Sequence, residues 1–334
     1  DRAAGLNTAG LVTGYRGSPL GAVDIMMTRA EKQLKAADVT FQYGLNEDLA
    51  ATALWGSQQA EVRDEGKYDG VFGLWYGKGP GVDRSGDVIR HANMAGSSCH
   101  GGVLMAMGDD HTGESSTVLH QSEWSLMDAY LPIVSPAGVQ EILDYGIYGI
   151  GLSRFSGLWV GLKTMKDTIE VTSVVDGDPN RMNLVTPEFE MPSDGLNIRL
   201  ADDRFQQEDR IIDYKRFAAE AYSHANKMDK RMWGQRGAKI GFVAAGKNWL
   251  DLTHALSLLN IDENMAERLG ITTYKVGQTF PLEMKGFNDW AEGLDLIVVV
   301  EEKRKLIEVQ IKEAIFDDRR GRRVYGWHKG GGAG

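Results

Sequence analysis

Short runs that are nearly continuous in apolar residues alternate along this chain with segments of helical pattern, and that alternation restricts the fold most. Residues 11–14, 70–75, 102–107, 131–134 and 158–162 are such runs, each bounded by Gly, Pro or Ser. Strands buried on both faces of a parallel sheet read this way. Helical patterns are expected between them at 19–34, 48–63, 86–97, 121–130 and 138–155; in the last, Ile142, Tyr145, Gly149 and Leu152 share one face. The alternation predicts an α/β domain over residues 1–175. Composition changes over 176–236, where charges and Asp-Gly-Asp-Pro replace the apolar runs; a connector with one helix at 213–228 is expected. A smaller α/β unit is expected over 237–330, with strands at 239–245, 272–276 and 296–300 and helices at 250–259 and 303–316.

Bulk properties exclude several classes. The net charge of -10 disfavours a nucleic-acid partner. No apolar run approaches the roughly 18 residues of a membrane span, and no secretory signal is visible. Cys99 is the single cysteine. It permits no internal disulfide, in keeping with a cytoplasmic setting, and cannot by itself hold an iron–sulfur cluster. We expect Cys99 to be a small buried residue; adjacent residues on a strand face opposite ways, which disfavours a Cys99–His100 nucleophile pair. The chain starts at Asp1 and ends in a glycine-rich stretch, and is expected to be a piece of a longer polypeptide.

Four segments carry candidate chemistry. Asn46-Glu47-Asp48 lies where the run 39–43 gives way to an Ala-rich helix. Asn46 can cap that helix and Glu47 complement its dipole; a carboxylate there also faces the crevice in which α/β sheets bind ligands. Gly14-Tyr15-Arg16-Gly17-Ser18-Pro19 is a strand-to-helix turn. It reads either as an anion pocket using Arg16 and Ser18 or as an ordinary helix start with a surface arginine. Residues 76–87 read as a glycine-rich loop after a strand, matching neither phosphate-loop nor dinucleotide spacing. Gly77 and Gly79 there can let backbone line a cofactor ring. His91, His100, His111 and His120 lie near Asp109 and Asp110 in sequence. Without metal-ligand spacing among them, no metal site is expected, and His100 or His111 reads as a substrate or proton-shuttle residue; a metal hydrolase that brings His100, His111 and a carboxylate to one ion is the competing reading. The charged turn 301–305 reads mostly as a solvated helix start.

Taken together, Gly5-Leu6-Asn7-Thr8-Ala9-Gly10 through Pro19, Asn46 through Ala53, Gly73 through Gly81, Gly108-Asp109-Asp110-His111 and Glu301-Glu302-Lys303-Arg304 resemble the 2-oxoacid:ferredoxin oxidoreductase family, nearest its long, fused indolepyruvate type. The resemblance implies a pyrimidine-type thiamine-diphosphate domain followed by a transketolase C-terminal-like domain. It implies that Glu47 activates the cofactor, with Asn46, Gly77 and Gly79 beside it, and that Ser18 and Arg16 meet the substrate. The implied reaction is oxidative decarboxylation of an aryl 2-oxoacid with coenzyme A and ferredoxin as acceptors. The Gly-Asp-Gly segment and following Asn that hold diphosphate and Mg²⁺ in this family do not occur here, nor do cluster cysteines. A separate diphosphate-binding domain, iron–sulfur clusters elsewhere and a homo-oligomer are therefore implied. A non-catalytic scaffold for such a complex is the alternative.

Overall fold

The computed structural model describes residues 1–114 and 118–327. Its strands are β1 (Thr8–Gly14), β2 (Val39–Tyr43), β3 (Gly70–Lys78), β4 (Val103–Asp109), β5 (Ile133–Val134), β6 (Val160–Met165), β7 (Lys230–Arg231), β8 (Ile240–Ala245), β9 (Ile271–Val276), β10 (Gln278–Phe280), β11 (Leu296–Val300) and β12 (Arg323–Tyr325). The helices of the first half are α1 (Val23–Arg29), α2 (Glu31–Ala36), α3 (Glu47–Ser57), α4 (Gly79–Arg84), α5 (Gly86–Ala95), α6 (Glu123–Asp128), α7 (Val139–Ser156) and α8 (Lys166–Ile169). Then come α9 (Arg204–Arg210), α10 (Arg216–Ala225), α11 (Gly246–Leu258), α12 (Glu263–Leu269), α13 (Met284–Ala291) and α14 (Ile307–Ala314).

These strands form two sheets. The first runs β10-β5-β6-β4-β3-β1-β2 and is parallel except for β10; the second runs β12-β11-β8-β9-β7 and is parallel except for β7. Alternation along β4 explains why the first sheet lies between two helical layers. Val103, Met105 and Met107 pack with Trp75, Trp159 and the helices α3 and α5 on one face, while Leu104 packs with Tyr148, Leu152 and Tyr222 on the other. A second core, built on Val243, Ile297, Phe287, Trp290 and Ile311, holds the smaller sheet.

The α/β class is as expected, and several local readings change. The helix expected over 19–34 is two short helices starting at Val23. Residues 76–87 are not a loop: β3 runs to Lys78 and α4 starts at the next residue, with Pro80 in the first turn, where its missing N–H costs nothing. The connector helix extends from Arg204 to Ala225 through a π-helical stretch at Ile211–Lys215. Cys99 is exposed rather than buried, because it precedes β4 instead of lying on it. The end of the smaller unit expected at 330 falls outside the described residues.

One connection was invisible in the sequence. β10 comes from the C-terminal half yet pairs antiparallel with β5 of the first sheet. It is fastened there by Asp229, which accepts from the backbone N–H groups of Gly277 (2.8 Å) and Gln278 (3.0 Å), and by Tyr148, bonded to Gln278 at 2.9 Å. The two halves thus share a sheet. Among the described residues, no helix is long and apolar enough to cross a membrane.

Candidate functional site

The carboxyl ends of β1, β3 and β4 meet on one edge of the first sheet, the edge at which parallel α/β sheets hold ligands. Glu47 stands there as the first residue of α3. Asn46 is extended and its side chain accepts from the Leu49 N–H at 2.8 Å, so it serves as the helix cap. That cap turns Glu47 inward, where it is 5% exposed. Trp75, fully buried in β3, donates its indole N–H to the Glu47 carbonyl at 3.0 Å and pins the start of the helix to the sheet.

Two glycines make the space for the Glu47 side chain. A Cβ on Gly77 would stand 3.3 Å from Glu47 Cγ, and one on Gly81 would stand 2.7 Å from Oε1. The carboxylate lies over the end of β3 and the first turn of α4, and it accepts no hydrogen bond from any described residue. A carboxylate on a largely buried residue, with no donor among the described residues and its oxygens reaching the ligand edge of the sheet, points to a function.

The turn after β1 crosses the same edge. Tyr15 N–H donates to the Tyr76 carbonyl at 3.1 Å. Gly17 rests on the Lys78 side chain, and Pro19 fills the space above Gly108. Ser18 and Arg16 are exposed on this turn, and Arg16 has no ion-pair partner among the described residues.

The histidines separate. His100 precedes β4, and its carbonyl carbon would lie 2.5 Å from a Cβ on Gly70, where β3 begins. It therefore occupies the opposite edge of the sheet, roughly 20 Å of strand away from Glu47. The sequence reading that paired His100 with His111 at one substrate crevice is corrected accordingly, as is the hydrolase reading that joined them on one ion. His111 does follow the carboxyl end of β4, but it is buried. Its Nδ1 is 3.2 Å from Glu302 and its Nε2 is 4.0 Å from Asp109. Burial pushes its pKa down.

His120 comes closest to the turn that supports Glu47. Its ring packs on Gly79, where a Cβ would stand 2.5 Å from Cγ, two residues before the glycine that supports Glu47. Nε2 is bonded to Asp83 at 2.7 Å, and Asp109 lies 3.6 Å from Nδ1. Asp109 and Asp83 lift the imidazole above its ordinary pKa against the effect of burial. Sequence order placed His120 in the histidine cluster but gave it no role, because its partners Asp83 and Gly79 are 37 and 41 residues away. Gly79 is thus occupied by protein.

Behind His120 lies a buried polar cluster. Asp109 accepts from Ser122 N–H (3.0 Å) and Oγ (2.5 Å); burial opposes its ionisation, yet His120, Lys163 and Ser122 hold its pKa below the usual carboxylate value. Lys163 of β6 pairs with Glu123 of α6, both buried. The turn 301–305 reaches this cluster from the second sheet. Glu301 is not solvated but accepts from the N–H groups of Leu306, Ile307 and Glu308 at the start of α14. Arg304 clasps Gln121, donating its backbone N–H to Oε1 and its guanidinium to the carbonyl, both at 3.1 Å.

An "Indolepyruvate oxidoreductase domain" family matches residues 230–333. "Indolepyruvate oxidoreductase subunit IorA" of Methanothermobacter marburgensis is 21% identical over 310 residues, 93% of this chain and 46% of the relative. The IorA subunit of Pyrococcus horikoshii is 23% identical over 324 residues, 92% of this chain and 45% of the relative. The chain therefore spans a little under half the length of these relatives. Among solved structures, 2-oxoglutarate:ferredoxin oxidoreductase from Magnetococcus marinus superposes with a TM-score of 0.64 at 14% identity, covering 95% of this chain and 59% of that one. Transketolase from Campylobacter jejuni superposes at 0.51 and 12% identity, covering 97% and 40%. The fold is that of a pyrimidine-type thiamine-diphosphate domain followed by a transketolase C-terminal-like domain. With relatives matched along nine-tenths of its length and the domain match at its C-terminal end, the chain is similar to indolepyruvate oxidoreductase subunits and shares the fold of a 2-oxoacid:ferredoxin oxidoreductase.

Proposed function

We propose that this chain supplies the pyrimidine half of a thiamine-diphosphate site in an enzyme that oxidatively decarboxylates an aryl 2-oxoacid such as indolepyruvate, with coenzyme A and ferredoxin as acceptors. The observation that supports the reading is Glu47: a residue 5% exposed, at the ligand edge of the sheet, whose carboxylate has no donor among the described residues. The residues fit one end of the cofactor. Glu47 would hold or release a proton at a ring nitrogen, with Gly77 beside it and Asn46 setting its orientation through the cap. Bound thiamine diphosphate supplies the electron sink for loss of carbon dioxide. Ser18 and Arg16, exposed on the adjoining turn, would meet the oxoacid, the guanidinium pairing with its carboxylate. His120 and His111 would tune that edge from behind.

The other end of the cofactor needs a partner. No Gly-Asp-Gly with a following Asn is present to bind diphosphate and Mg²⁺, and one cysteine cannot hold a cluster. A diphosphate-binding domain and iron–sulfur clusters would belong to another part of the complete protein or to another subunit, assembled as a homo-oligomer. Tyr43, Leu45 and Leu49 are 57%, 84% and 47% exposed around Glu47, an apolar rim of the kind that such a domain would cover. The test is Glu47→Gln in the complete enzyme. Indolepyruvate-dependent reduction of ferredoxin should be lost while the fold persists; wild-type turnover would refute the reading and leave the scaffold alternative.

A further inference from the structure

The polar cluster between the two sheets contains more acceptors than donors. Glu123 Oε2, Glu302 Oε2 and both ring nitrogens of His111 are buried without a hydrogen-bond partner. One donor atom from each of Asp109, His111 and Glu123 lies within 4.8 Å of the others. Each is buried, and they come from the end of β4, the residues just beyond it and α6. His120 turns Nδ1 toward Asp109 at 3.6 Å and bonds outward to Asp83 through Nε2, so it serves Asp109 but reaches neither Glu123 nor Glu302 among the contacts of the described residues.

Charge points the same way. Asp109, Glu123 and Glu302 bring three carboxylates, and Lys163 is the one ammonium among them. With the His111 imidazole neutral, the cluster carries a net charge near -2, or near -1 when His120 beside Asp109 is protonated, in a setting where unpaired charge is costly. The His111 ring is also set as a ligand histidine would be. Nε2 faces Asp109, while Nδ1 faces the Glu302 carboxylate at 3.2 Å. Metal-bound histidines characteristically direct their second ring nitrogen at a carboxylate; here the two atoms are close but not aligned as a hydrogen bond. Donors about 2.0–2.2 Å from one tetrahedral ion stand about 3.3–3.6 Å apart, so donor atoms now within 4.8 Å of one another would close by up to about 1.5 Å on taking up the ion.

The geometry points to a divalent transition-metal site formed by Asp109, His111 and Glu123, with Glu302 of the second sheet orienting His111. Two carboxylates and one imidazole suit Zn²⁺, Mn²⁺ or Co²⁺. Held there, the ion ties the turn after β11 to the carboxyl end of β4 and stiffens the seam behind Gly79 and His120. The inference is independent of any reading of Glu47.

Chelator-stripped protein, titrated with Zn²⁺ by calorimetry and with Co²⁺ by visible absorption, tests it. The wild type should bind one equivalent and develop the d–d bands of a Co²⁺ site containing nitrogen. His111→Gln should abolish those bands and weaken Zn²⁺ at least ten-fold, and Glu302→Gln should weaken it about ten-fold. Equal binding by wild type and His111→Gln would overturn the proposal. Should His111→Gln fail to fold, absence of the Co²⁺ bands in the wild type would overturn it. Lys163→Met checks the rival cation: ion uptake by that variant but not by the wild type would show that the ammonium is the resident charge, and would also overturn it.

Discussion

Gly81 makes room for Glu47: a Cβ on the glycine would stand 2.7 Å from Oε1 and 2.8 Å from Cδ of the acid. Gly81 has no left-handed backbone to protect, so its small size is the requirement. Gly81→Ala should push the carboxylate off its seat. We expect a loss of about 1–3 kcal/mol in stability from overpacking and a fall in turnover of the complete enzyme beyond what that loss explains. Urea denaturation and steady-state kinetics at a temperature where the variant is fully folded separate the two effects.

The cap and the acid are adjacent but distinct in role. Asn46→Ala removes the acceptor for the Leu49 N–H and should cost about 1 kcal/mol. Asn46→Asp and Asn46→Ser retain a capping oxygen and should restore most of it. Equal stability of the alanine and serine variants in denaturant melts would contradict the assignment of Asn46 as cap.

Gln121 and Arg304 join the halves through three hydrogen bonds of 3.1–3.3 Å accepted by the glutamine. A double-mutant cycle of Gln121→Ala and Arg304→Ala should give a coupling energy of about 0.5–3 kcal/mol, the range for residues in direct contact. Additive losses would mean that the side chain–side chain bond contributes nothing, leaving only the two bonds that use backbone atoms.

Asp229 gives a pH signature. Burial raises its pKa to about 7, against the pull of the Gly277 and Gln278 N–H groups. The unfolded value is near 4, so between about pH 4 and 7 the folded state binds the extra proton. The stability this contributes is fully present below about pH 4 and is lost as pH rises through 7, with a slope of at most about 1.4 kcal/mol per unit. Asp229→Asn keeps an acceptor for both N–H groups and removes the titration. The stability difference between wild type and variant, followed by urea denaturation, should shift in favour of the variant from pH 4 to 7 and stay flat above.

Local signals were sufficient for much of this protein. Continuous apolar runs marked β1, β3, β4, β6, β8 and β11 because a strand packed on both faces needs apolar residues in succession. Asn46 followed by acids marked the start of α3 because a cap acts over three residues. The glycines of 77–81 were visible as a cluster but misread as a loop, since their small size serves packing against Glu47 and His120 rather than chain reversal.

Sequence alone therefore determined the alternation of strand and helix, the two α/β units and the placing of Glu47 at a strand-to-helix junction, all of which depend on near neighbours. Only the tertiary structure decided which distant side chains meet. It sent His100 to the far edge and set His120 against Gly79. It also drew β10 into the first sheet and brought Glu302 to His111 across 191 residues. Such meetings depend on strand order and on how two sheets pack, and no periodicity in the chain encodes the distance between residues that lie on different elements.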